Sequence, residues 1–325
     1  MTVNSAHFEI LKKDGIFLEK ETKRYSVVRL KGHEESLRIN ASIFGALLNA
    51  AKNQKNTPVE MPKKMTLGVE LEFVGDSFTE NLSEFCADMV LLTKRKFIFT
   101  GKYGHNDGKS WVLGRDGSID TKHTDLNKPF AYELTTPKLS LFSKTHTKLL
   151  AAVTELVRGR LNGFVNNSCG THIHIGFNTE KTPRNNMIKL LASYAEMEKH
   201  VFDPIVPKSR RRNRYCRSTE ALLREKYQKL STRYCNFDAR GNSNKLRFEC
   251  RQLEGTLDVK TIMYWAVLQA TILVDMLANI RNNSYINALV GMSIFDILYH
   301  YNFSTELRNF FIDRAIKFRS RTLLG

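Results

Sequence analysis

At 325 residues, with 42% hydrophobic and 26% charged residues, the chain has room for one large domain and a small one, or for two ordinary domains, and its composition excludes wholesale disorder. Fifty Lys and Arg against 33 Asp and Glu give a formal net charge of +17, which favours acidic partners and raises nucleic acid as one of them. The five cysteines (Cys86, Cys169, Cys216, Cys235, Cys250) are odd in number and lack any CxxC spacing, so they read as reduced thiols of a cytoplasmic protein and not as a disulfide framework.

The N-terminus opens on MTVNSAHFE with no apolar run behind a basic start, so no signal peptide is expected. Strand-like runs IFLEK and YSVVRL lie between Gly15 and Leu30, a Gly turn follows within Lys31–Glu35, and Ser36–Ile39 can return as a short strand. Ala41–Ala51 is apolar at helical spacing, with Ile43, Leu47 and Leu48 on one stripe and Asn40 placed to cap it. Lys52–Lys64, with Pro58 and Pro62, reads as a linker. Residues 1–60 are thus expected to form a small α+β module, and 61–325 the main domain. There, helical periodicity covers Leu82–Lys94, Thr145–Leu161, Asn185–Phe202 and Val259–Asn282, while Phe97–Trp111, carrying Gly101, Gly104 and Gly108, reads as a mobile loop. The most apolar run, Ile262–Ala278, is interrupted by Gln269 and Asp275 and falls short of the roughly 20 residues that span a bilayer. A buried helix is expected, and no membrane partner.

Three segments repeat one pattern, a polar residue at every second position: Glu70 and Glu72 in GVELEF, His172 and His174 in CGTHIHIGF, and Arg247, Glu249 and Arg251 in RFECRQLEGTLD. On strands each set shares one face, with Val69, Leu71, Phe73 and their equivalents packing beneath. Such a sheet needs helices on its apolar side, so the fold class is α+β, with a curved, mainly antiparallel sheet backed by helices. Paired acids repel unless a cation lies between them, and Mg²⁺ takes hard oxygen ligands; the same alternation also suits a half-exposed strand facing water. The HxH pair adds imidazoles, flanked by Gly170 and Gly176, with His172 the preferred ligand and a supporting role open for His174. With carboxylates as the other candidates and no Cys at zinc-like spacing, Mg²⁺ or Mn²⁺ is favoured over Zn²⁺. Glu249 between two arginines suits a site that handles metal and phosphate together. Lys208, Arg210, Arg211, Arg212, Arg214 and Arg217 form the one dense basic cluster, either an anion-binding loop for nucleotide phosphates or a substrate carboxylate, or a solvated surface. No GxxxxGK[ST] signature is present.

Taken in order, GVELEF, WVLGRDGSID (Trp111–Asp120), YELTTPKL (Tyr132–Leu139), CGTHIHIGF and RFECRQLEGTLD resemble the amidoligase family, carboxylate–amine ligases related to glutamate–cysteine ligase and glutamine synthetase. The resemblance covers roughly Met65–Ala278; residues before Met61 have no counterpart. The chain departs from the family in reading Thr-Thr-Pro where Ser-Pro is common, and HIHIG where a Val follows the second His. The resemblance implies a glutamine synthetase-like catalytic fold and an ATP-dependent ligase. Its Mg²⁺ (or Mn²⁺) ions would be held by Glu70, Glu72, Glu133, His172, His174 and Glu249. Arg247 and Arg251 would meet phosphate oxygens or the substrate carboxylate, with Arg210 and Arg212 weaker nucleotide-side candidates. Asp116 would serve as a base for the incoming amine, although an Asp-Gly turn explains it equally. The implied partners are small-molecule or peptide carboxylates and amines, with glutamate or a γ-glutamyl peptide the family default. Two other classes stay open: a nucleic-acid-binding or structural protein on a degenerate ligase fold, and a metal-dependent phosphoesterase or nuclease.

Overall fold

Alternating and three-to-four spaced apolar residues become strands and helices in the computed structural model of the chain, which describes residues 5–32, 34–94, 97–100, 108–122, 124–178, 184–211, 213, 215–220, 223, 237–240 and 245–320. In chain order these are α1 (Ser5–Lys12), β1 (Ile16–Glu21), β2 (Tyr25–Leu30), β3 (Leu37–Asn40), α2 (Ala41–Lys52), β4 (Thr66–Asp76), α3 (Thr79–Thr93), β5 (Phe97–Phe99), β6 (Trp111–Arg115), β7 (Pro129–Thr135), β8 (Leu139–Ser140) and α4 (Lys144–Leu161). There follow β9 (Thr171–Asn178), α5 (Arg184–Met197), β10 (Phe237–Arg240), β11 (Lys245–Cys250), α6 (Val259–Ala278), α7 (Asn283–Val290), α8 (Ile294–His300) and α9 (Thr305–Ser320). The chain divides into two compact units, one of Met1–Glu60, Ala192–Lys208 and Asp275–Gly325, the other of Met61–Leu191 and Ser209–Val274.

In the first unit β1, β2 and β3 form an antiparallel sheet in that order. Asn40 caps α2, its side-chain oxygen accepting from the Ile43 N–H at 2.8 Å, and Ile43, Phe44, Leu47 and Leu48 are buried. Residues 1–60 do not stand apart as the division expected at residue 60 would have it. Asp14 and Arg308 form a buried ion pair at 2.7 Å, and Thr57 bridges to Tyr301. A buried charge survives only with its partner, so the ends of the chain must fold together. Helices α1, α7 and α8, of seven or eight residues, carry no motif and are too short to declare themselves by period alone.

The second unit is built on an eight-stranded sheet of order β10-β11-β9-β4-β7-β6-β5, with β8 pairing β4 off that path. Every pair is antiparallel except β5 with β6. Phe97–Phe99, expected within a loop, is thus an edge strand; residues 101–107 lie outside the described ones. The central strand β4 sends Leu67, Val69, Leu71 and Phe73 to one face, each at most 1% exposed. On that face Phe73 stacks on Tyr132, and Leu161, ending α4, lies against Gly75. Arg160 of α4 reaches Glu84 and Asp88 of α3 at 2.7 Å each, so both helices cover the apolar side. The opposite face carries Glu70 and Glu72, and beyond Glu72 it is closed by Val74, Ala131, Ile119 and Cys169.

Two helix ends differ from the spacing. Helix α5 gives way to a π-turn over Glu198–Phe202, followed by a 3-10 turn over Asp203–Ile205 that carries Pro204 in its first turn. Helix α6 stops at Ala278 because Asn282 is used to cap α7, accepting from the Tyr285 N–H at 3.1 Å. By length and composition α6 could cross a membrane, but 72% of its apolar window is buried in the fold.

Candidate active site

Strand register gathers the polar residues of four strands into one patch. Glu72 on β4 lies opposite Glu133 on β7, Glu70 opposite His172 on β9, and Gly68 opposite His174; His174 in turn faces Glu249 on β11. Gly68 leaves the space that His174 fills, since a Cβ there would come within 3.2 Å of the histidine Cβ. Thr136, in the Thr-Thr-Pro departure, extends the β4 pairing beyond β7: its N–H donates to the Val69 carbonyl and its Oγ1 accepts from the Val69 N–H, both at 2.9 Å.

His172, 2% exposed, stands between two carboxylates: Nδ1 is 2.8 Å from Glu70 Oε2 and Nε2 is 3.2 Å from Glu72 Oε1. His174 Nε2 lies 2.8 Å from the other Glu70 oxygen. Glu72 is steadied by the Gly170 N–H, which donates to Oε2 at 2.6 Å, and Glu249 pairs with Arg251. Burial pushes the Glu133 carboxyl up, and the charges of Glu70, Glu72 and Asp116 push it further, well above the usual carboxylate range. Burial acts the same way on Glu70, but His174 and His172 outweigh it and hold Glu70 well below that range. For Glu249 the burial is outweighed by His174 and Arg251. Arg251 is held above its ordinary value against its own burial by Glu249, Glu70 and Glu72.

This donor set fits a divalent cation. Glu70, His172 and Glu249 form one group and Glu72, Glu133 and His172 another, each with ligand atoms within 4.8 Å of one another. Carboxylate oxygens with one imidazole suit Mg²⁺ or Mn²⁺, and a positive ion would relieve the repulsion that Glu133 meets. His174 belongs to neither group; it orients Glu70, and its own Nδ1 is buried with no hydrogen-bond partner.

A cleft of about 520 Å³ opens beside the second group, lined by Glu72, Asp116, Gly117, Ser118, Glu133, Ser168, His172, Arg210, Tyr215 and Arg251. Arg210 is buried and lies over Gly170, where a Cβ would sit 2.6 Å from its Nη2. That Nη2 donates to the Arg251 carbonyl at 2.5 Å, and the Cys216 thiol reaches the same oxygen at 3.3 Å. Asp116 both makes its turn, Oδ1 accepting from the Ser118 N–H at 2.7 Å, and lines the cleft. Arg247 is exposed and not among the cleft residues; Glu70, Glu249 and His174 border the cluster on its other side. Arg212 lies outside the described residues. Ser118, Ser168 and Tyr215 were not singled out from the sequence. Ser168 ties two loops, accepting from the Asp120 N–H at 2.8 Å; its position next to CGTHIHIGF was the only signal.

No curated protein matches the chain. Among solved structures, the crystal structure of the complex between prokaryotic ubiquitin-like protein Pup and its ligase PafA is similar at a TM-score of 0.35 and 12% identity, over 78% of this chain and 64% of that one. The chain thus spans less than two thirds of that protein's length. The family model described as "Putative amidoligase enzyme" matches residues 63–242, more than half of the chain and including both carboxylate–histidine groups except Glu249. By that match the protein belongs to the amidoligase family.

Proposed function

We propose that the protein is an ATP-dependent, ADP-forming carboxylate–amine ligase, with its chemistry on a glutamine synthetase-like sheet in the unit formed by Met61–Leu191 and Ser209–Val274. The observation that carries this reading is His172, buried between two carboxylate groups on neighbouring strands of an amidoligase-family chain. A carboxylate is a poor electrophile and resists direct attack by an amine. Attack of the substrate carboxylate on the γ-phosphorus of ATP releases ADP and leaves an acyl phosphate. The amine then forms the C–N bond while the carbon–oxygen bond to phosphate breaks, phosphate taking the electron pair and Asp116 the amine proton.

Glu70, Glu72, Glu133, His172 and Glu249 would hold Mg²⁺ or Mn²⁺, which when bound neutralises phosphoryl oxygens. Arg251, fixed against Glu249, supplies a guanidinium at the cleft wall. The Gly170 N–H and His174 keep Glu72 and Glu70 aimed. Arg247 serves at most the outer rim, given its exposure. The cysteines Cys169, Cys216 and Cys250 are buried thiols, which supports a reducing cytoplasmic setting. The comparisons lend no support to a nucleic-acid partner.

The test is ADP release from ATP with Mg²⁺ or Mn²⁺ across a pool of carboxylates and amines, with Glu249→Gln as control. Substrate-dependent ADP that falls at least about 100-fold in the variant supports the assignment. Equal release by both proteins removes Glu249 from the site, and phosphate release without any amine or ATP requirement would make the protein a hydrolase.

A further inference from the structure

The cleft beside Glu72 and Glu133 has two chemically opposed walls. One is acidic: Asp116 keeps Oδ1 on the Ser118 N–H at 2.7 Å, while its other oxygen accepts no hydrogen bond among the described residues. Glu133 lies close enough to feel the Asp116 charge. The other wall is basic, made of Arg210 and Arg251. Arg210 is only 2% exposed, and although Nη2 is tied to the Arg251 carbonyl at 2.5 Å, its Nε has no partner. A buried guanidinium donor left empty carries a desolvation cost that a bound anion would remove. Its planar fork, fixed at one corner, is matched to a flat two-oxygen acceptor.

We propose that this cleft is the recognition site for a small zwitterion, a free α-amino acid, with its carboxylate on Arg210 and its ammonium on Asp116. The proposal rests on the ligase reading and names the class of amine that reading leaves open. Three other occupants fit less well. A polyphosphate would meet the carboxylate of Asp116, which belongs to neither metal group, as well as the two arginines. A polyamine would meet Arg210 and Arg251 with no carboxylate of its own. A lysine side chain on a protein likewise brings no anion for Arg210. The volume of about 520 Å³ is within the roughly 300–1,000 Å³ of small-molecule sites.

The experiment is titration calorimetry on the full-length protein with Mg²⁺ and a non-hydrolysable ATP analogue present. The probes are the proteinogenic L-amino acids, the amines formed by removing their carboxylate, and the acids formed by removing their amine. At least one amino acid should bind, with each truncated counterpart weaker by roughly 10- to 100-fold, as expected for losing a charge-assisted hydrogen bond. Arg210→Lys keeps the charge but loses the fork. It should weaken the amino acid about 10-fold or more, abolish discrimination against the decarboxylated amine, and leave affinity for the ATP analogue unchanged. Arg210→Gln serves as a second variant, both checked for native circular dichroism. The proposal is overturned if no amino acid binds, if the amine alone binds as well as the amino acid, or if the Arg210 variants weaken only the ATP analogue, which would make Arg210 a phosphate ligand. The ligase reading is judged separately, by substrate-dependent ADP release.

Discussion

Gly170→Ala is the most diagnostic single change in the cleft, because one added carbon tests how firmly Arg210 is held. Gly170 is not among the residues of positive φ, so alanine brings no backbone strain. Its Cβ would, however, lie 2.6 Å from Nη2, 2.9 Å from Cζ and 3.0 Å from Nη1 of Arg210. The guanidinium has to move, which breaks its 2.5 Å bond to the Arg251 carbonyl. A hydrogen bond from a charged donor is worth about 1.5–3 kcal/mol, and overpacking costs about 1–3 kcal/mol. The expected loss is therefore about 2.5–6 kcal/mol in urea denaturation of the full chain. In an Arg210→Ala background the obstacle is gone, and the same substitution should be neutral or stabilising by up to about 1 kcal/mol, through the lower entropy of the unfolded chain. The coupling in this double-mutant cycle should exceed about 1.5 kcal/mol. Equal costs in the two backgrounds, within about 0.5 kcal/mol, would show that Arg210 does not rest on Gly170 as described.

Metal binding should be visible without any substrate. Mg²⁺ or Mn²⁺ added to chelator-treated protein at about 100 times its dissociation constant should stabilise it by roughly 2.7 kcal/mol, read as a rise in melting temperature. Glu133→Gln should abolish most of that rise yet cost the chelator-treated protein little, because a charge buried beside Glu70, Glu72 and Asp116 is unfavourable until a cation arrives; an unchanged rise would take Glu133 out of the metal site. In the other unit, Asp14→Asn should cost about 3–5 kcal/mol by stranding Arg308, and Asp14→Asn with Arg308→Met should recover part of it. A loss under about 1 kcal/mol for the single change would show the pair to be solvated.

The faces of the strands were legible in the sequence, and their neighbours were not. Alternation in GVELEF tells that Glu70 and Glu72 share a face opposite Leu71, and β4 obeys it. That Glu72 meets Glu133, or that Glu249 meets His174, depends on register between segments far apart in sequence. Spacing of two also places Arg247 with Glu249, but it cannot tell that Arg247 ends up exposed while Arg251, one residue past the end of β11, turns into the cleft. The cap at Asn40 was readable because its partner is three residues away. Arg210 was visible only as one of a run of basic residues. What singles it out, a backbone carbonyl 41 residues on and a glycine beneath it, is written nowhere near it. The grouping of Asp275–Gly325 with the N-terminal residues had no local signature either, since it depends on pairs such as Asp14 with Arg308.

The place of His172 in both carboxylate groups sets a rule of lone-pair accounting. A neutral imidazole has one nitrogen with a free electron pair and one that carries hydrogen. Facing Glu70 through Nδ1 and Glu72 through Nε2, the ring can give that pair to one side only, and to the other it presents a proton. Two cations bound at once would therefore be chemically unlike: one with a nitrogen donor, of the kind Mn²⁺ tolerates better, and one with oxygen donors alone, as Mg²⁺ prefers. The choice of tautomer decides which is which, so moving one proton between the two ring nitrogens of this single residue would trade the identities of the two sites.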